Sequence, residues 1–133
     1  MKTYYQPTYR ANIILVEYRT REDVKEELNK GLRKLNFLIV KDDKVIDDLY
    51  REDLSAYSIT LEMWKLRVHI IGINKNCCNT IKKKNSSLVH EVEHTLFKIY
   101  NGVGIKSVKC SPEENGNEPE AYLVGELYDA FQF

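Results

Sequence analysis

The sequence predicts an α+β fold: one domain over residues 1–133, with a small mixed sheet packed against about three helices. Three observations carry this. A chain of 133 residues suits one domain with one core. Runs rich in β-branched and aromatic residues fall in its first 73 residues. Helical apolar spacing appears once within that half and again through the last third.

Ile13 to Tyr18 is β-branched and apolar and reads as a strand. Thr20 then fits a helix N-cap, with Asp23 as a loose capping-box partner. Val24, Leu28, Leu32 and Leu35 follow at helical spacing, one apolar stripe on a helix from about Arg21 to Leu35. Its other face is charged and reads as solvated. Phe37 to Val40 is a short apolar run, read as a second strand. Lys41 to Asp53 is ambiguous between a short helix and a loop over the core. Tyr57 to Trp64 and Leu66 to Ile73 read as a hairpin or one long bent strand. Asn74 to Lys84, with four lysines, reads as a surface loop.

Ser86 or Ser87 is the expected cap of the next helix, and Asn101-Gly102 its stop. Ser111 to Asn117 is a loop by composition. A last helix runs from about Glu118 or Pro119 to Phe131, which makes the motif helix the next to last.

Composition excludes several classes. Lys plus Arg and Asp plus Glu both total 20, so no surplus of positive charge points to nucleic acid. The longest apolar runs fall far short of the ~20 residues of a membrane span. The opening Met1-Lys2-Thr3-Tyr4-Tyr5 has no apolar core like that of a signal peptide, so a cytoplasmic protein is expected. Three cysteines, Cys77, Cys78 and Cys110, are an odd count that argues against a disulfide framework and for free thiols.

The chemistry-bearing pattern is His90-Glu91-Val92-Glu93-His94. On a helix, residues four apart share a face, so both imidazoles can reach one zinc ion. Glu91 follows the first histidine and can approach a water on that metal as general base without ligating it. Val89, Val92, Leu96, Ile99 and Tyr100 are read as the apolar stripe beside the histidines.

A catalytic zinc takes three protein ligands and keeps one position open. The remaining histidine, His69, lies in a strand-like run and reads as a packed residue. A carboxylate on the next helix is then required, and Glu113, Glu114, Glu118, Glu120, Glu126 and Asp129 are available. Gly125 reads as a close-packing position or as a tolerated glycine, and Tyr122 as a residue that stabilises the oxyanion or, by preference, packs beside the metal. Asp129 or Glu93 could orient a histidine through its second ring nitrogen.

The motif, followed by Asn117-Glu118-Pro119-Glu120-Ala121-Tyr122-Leu123, resembles the small zincin-like proteins of phages and prophages. It is also similar to the wider gluzincin group of metallopeptidases. The likeness covers roughly Leu66 to Leu127 and is one of pattern. It implies a zincin-like domain, one zinc ion, a peptide or protein substrate, and hydrolysis with Glu91 as base. It also implies that the strand before the motif helix forms the lip of the cleft. The family's E-x-x-A pattern falls on Glu118, three residues before Ala121, as third ligand beside His90 and His94. On a helical wheel Glu120 falls on the apolar side with Val124, Leu127 and Phe131, and Glu118 on the polar side, so Glu120 stays open as the alternative. A second expectation belongs to another class: a phage accessory protein of this shape that binds zinc without peptidase activity.

Overall fold

In the computed structural model the backbone is described for residues 1–63, 66–103 and 118–133, and the side chains for all but 63–66 and 104–121. The elements in order are β1 (Lys2–Gln6), β2 (Ala11–Tyr18), α1 (Arg21–Lys34), α2 (Asp43–Leu49), β3 (Ala56–Met63), β4 (Leu66–Asn74), α3 (Ile81–Gly102) and α4 (Glu118–Phe131). The four strands form one mixed sheet in the order β1-β2-β4-β3. β2 and β4 pair in parallel at its centre, with Ile14 opposite Ile70. β1 and β3 are antiparallel edge strands.

Side-chain alternation splits the strands between two cores. Ile14, Val16, Tyr18, Val68 and Ile70 face α1 and α2, meeting Val24, Leu28, Leu32, Ile46 and Leu49. Ile13, Leu15, Ile71 and Ile73 face α3 and α4, meeting Leu88, Val92, Leu96, Ile99, Leu123, Leu127 and Phe131. The sheet is therefore covered on both faces. That is why β2 and the core of β4 read as nearly unbroken apolar runs, as parallel strands do. Gly72 of β4 lies opposite Tyr57 of β3, whose ring lies where a side chain would stand, 2.2 Å from an added Cβ.

The helix starts have local causes. Thr20 caps α1 with both bonds of a capping box, its hydroxyl accepting from Asp23 N and the Asp23 carboxylate from Thr20 N. α3 begins earlier than expected. Thr80, not Ser86 or Ser87, is its N-cap, accepting from Lys83 N at 3.2 Å, so Lys82 to Lys84 are helical rather than loop. The ambiguous stretch after Lys41 holds α2, capped by Asp42.

The strand expected at Phe37–Val40 is absent from the sheet, and a side chain explains it. Buried Asn29 of α1 accepts from Val40 N at 2.9 Å and donates to Val40 O at 3.3 Å. The backbone bonds a ladder would use are taken by one amide. β1, in contrast, has no counterpart in the sequence reading. It carries Tyr4 onto Phe131, edge to face at 6.3 Å. The loop expected at Ser111–Asn117, and Cys110, lie outside the described residues. Cys77 is exposed and Cys78 buried, both free. No described helix is long and apolar enough to cross a membrane.

Replacing Asn29 by Ala leaves the Val40 amide and carbonyl unpaired in a buried place. A loss of about 1–3 kcal/mol is expected, measured by urea unfolding.

Candidate metal centre

α3 carries the motif, and its wheel separates three kinds of residue. Leu88, Val92, Leu96 and Ile99 are buried against the sheet. His90 and His94 stand on the opposite side, both exposed. Their Nε2 atoms converge to 3.0 Å, with ring centroids 4.6 Å apart. Two nitrogens on a tetrahedral zinc, each about 2.0–2.1 Å from it, stand about 3.3 Å from each other. The pair thus fits two adjacent positions of a zinc shell. Among the described residues no group of three His, Cys, Asp or Glu side chains gathers. The side chains of Glu118 and Glu120, and all of Glu113 and Glu114, lie outside the described residues.

Glu91 occupies the third side of the helix. It is 7% exposed, against the exposure of both histidines. One turn on, Thr95 donates to the Glu91 carbonyl at 2.8 Å and meets Ser58 of β3, hydroxyl to hydroxyl, at 2.8 Å. A further turn on, the Lys98 ammonium donates to the Ser58 carbonyl. Glu91, Thr95 and Lys98 therefore form the flank of α3 that faces edge strand β3. Burial lowers the Lys98 pKa, and the Glu91 carboxylate partly offsets that. Glu91 thus lies between the histidine face and the sheet, on the side of an edge strand.

Several expectations are corrected here. Val89, assigned to the apolar stripe, is 41% exposed, and Leu88 takes its place in the core. Tyr122 does not pack: it is 75% exposed. Among the described residues nothing lies within 4 Å of a Cβ added at Gly125, so that glycine marks no close contact with the described part of α3. Outside these corrections, Glu93 and Asp129 stand exposed on α3 and α4. The strand before the motif helix, expected as the cleft lip, is β4, which is paired on both sides. The edge strand beside α3 is β3 instead.

His69 is packed, as its strand position suggests. It is 3% exposed and shares a 2.9 Å hydrogen bond through Nδ1 with Thr60, its antiparallel partner on β3. Burial, then the charges of Arg67 and Lys98, hold its pKa at about 4. Sequence reasoning missed this polar seam of Ser58, Thr60, His69, Thr95 and Lys98. Its signal was present: Ser58, Thr60 and Glu62 alternate with Tyr57, Ile59 and Leu61, so one face of β3 is polar.

Neither a family model, nor a curated protein, nor a solved structure matches this chain. The functional reading therefore rests on the residues and their geometry.

Because the folded His69 titrates below its ordinary value of 6.5, the unfolded chain takes up the proton first as pH falls. Stability present above that value should be lost between it and about 4. A drop on the order of 2 kcal/mol between pH 7 and pH 5 is expected. Urea unfolding of wild type beside His69→Gln checks it, the variant showing the smaller drop.

Proposed function

We propose that this protein is a zincin-like, zinc-dependent hydrolase of the cytoplasm that cleaves peptide bonds. The observation that carries the reading is the 3.0 Å convergence of His90 Nε2 and His94 Nε2 on the outer face of α3. His90 and His94 would hold the ion, with Glu118 at the start of α4 as third ligand. Zinc bound there supplies a Lewis acid and lowers the pKa of its water. Glu91, one position along the helix from His90, accepts the proton of the attacking water and passes it to the leaving amine. Its burial, at 7% exposure, limits the solvent that reaches it. Free Cys77 and Cys78 suit a reducing compartment.

A second reading is favoured by a specific feature. Val89 and Phe97 are exposed on α3 close to the histidines, at 41% and 39%. Such side chains suit a protein partner, and they support a zincin-like accessory protein that binds zinc without cleaving anything.

Metal analysis should find one equivalent of zinc in wild type, lost in His90→Ala, His94→Ala and Glu118→Ala and kept in Glu120→Ala. Glu91→Gln should keep zinc and lower kcat on a peptide library by at least about 100-fold. Zinc lost from Glu120→Ala alone moves the third ligand. Stoichiometric zinc with no cleavage selects the accessory reading.

A further inference from the structure

Lys98 and Asn101 continue α3 one to two turns beyond His94. With Thr60 and Glu62 of β3 and Arg67 of β4 they line a cavity of about 400 Å³. Two cations face it against one carboxylate.

Lys98 is half-buried, and among the described residues no carboxylate lies within ion-pair distance of it. Its ammonium donates to the Ser58 carbonyl and lies 3.4 Å from the Ser58 hydroxyl. An ammonium has three donors, so at least one is left over among the described residues. Arg67 spends Nε and Nη2 on a single oxygen of Glu62, at 3.1 and 2.9 Å. Glu62 is 69% exposed and sits at the rim. The Arg67 Nη1 lies over Gly102, where an added Cβ would approach it to 2.4 Å, so the glycine makes room for the guanidinium. On the far side of Arg67 a second cavity of about 220 Å³ is lined by Arg10, Asn12 and His69 among others. The field there is positive: after burial, the charges of Arg67 and Lys98 are what depress the His69 pKa. A neutral donor stands beside the cations in the Asn101 amide, while the Thr60 hydroxyl is shared with His69 Nδ1.

The geometry points to an oxyanion site between Lys98 and Arg67, with Asn101 completing it and Thr60 in its wall, that takes a carboxylate or a phosphate. Guanidinium and ammonium groups supply charge-assisted bonds to such oxygens, and a half-buried ammonium that the Glu91 carboxylate reaches only at longer range gains from one. The site begins one helical turn beyond His94 and its cations do not depend on zinc.

Calorimetric titration of the intact protein with inorganic phosphate tests it. Acetylated peptides ending in a free carboxylate, or in the corresponding amide, form the second arm. One site is expected, weakened about tenfold or more by Arg67→Gln and by Lys98→Met. Lys30→Met, on α1 across the sheet, should leave it unchanged. Arg67 is exposed, so its variant keeps the fold and decides the matter if Lys98→Met does not fold. Phosphate without the peptide acid identifies a free oxyanion as ligand, whereas the acid over the amide identifies a chain terminus. Absence of binding, indifference to Arg67→Gln, or equal weakening by Lys30→Met overturns the proposal.

Discussion

The parallel pairing of β2 with β4 is the constraint on which the rest of the structure depends. Parallel neighbours cannot be joined by a tight turn, so the chain between them must cross over, and α1, α2 and β3 lie in that crossover. A parallel pair at the centre of a sheet must also be buried on both faces. That requires apolar residues on both sides of each strand, and Ile13, Ile14, Leu15 and Val16 supply them within four consecutive positions. It also requires a second helical layer. α3 and α4 are that layer, so the position of the motif helix follows from covering the sheet.

Covering the sheet also decides what α3 can present. A helix of 22 residues gives its buried stripe to Leu88, Val92, Leu96 and Ile99. Residues two positions from Val92 on either side are then turned about 160° from that stripe, and these are His90 and His94. Glu91 falls between the two directions, over the polar face of β3. The order His-Glu-x-x-His therefore maps onto outer face, flank and outer face because Val92 is a core residue. His69 breaks the apolar run of β4, and its cost is met locally by Thr60 across the ladder. The same seam leaves Lys98 half-buried with no ion pair among the described residues.

Much of this was legible in the sequence because it is written in local spacing. The β2 run, the α1 stripe with its Thr20 cap, and the histidine pair each depend on residues within one or two turns. What was not legible depends on distant partners. Phe37 to Val40 has the composition of a strand, yet Asn29, eleven residues earlier, takes its hydrogen bonds. Lys82 to Lys84 look like a surface loop, yet Thr80 starts the helix and Lys84 reaches Glu17 of β2 at 2.8 Å. β1 is too short and polar to stand out, and it becomes a strand by pairing with β2 and receiving Phe131. The edge position of β3 follows from sheet order, which spacing along one strand does not contain.

The relation of α4 to α3 bears on the third ligand. Asn85 near the start of α3 accepts from Phe133 N at 2.8 Å and donates to Phe133 O at 3.3 Å. The Lys84 ammonium lies 5.1 Å from the Phe133 ring centroid. The end of the chain is thus fastened beside the beginning of α3, and Leu123, Leu127 and Phe131 pack into the same core as Val92 and Leu96. The two helices therefore run in opposite directions. The first turn of α4 lies toward the C-terminal half of α3, on the side of His94 rather than His90. A carboxylate from that turn would approach the histidine pair from the same end of α3 as Lys98 and Asn101. The metal site proposed for the outer face and the oxyanion site would then share one end of the helix.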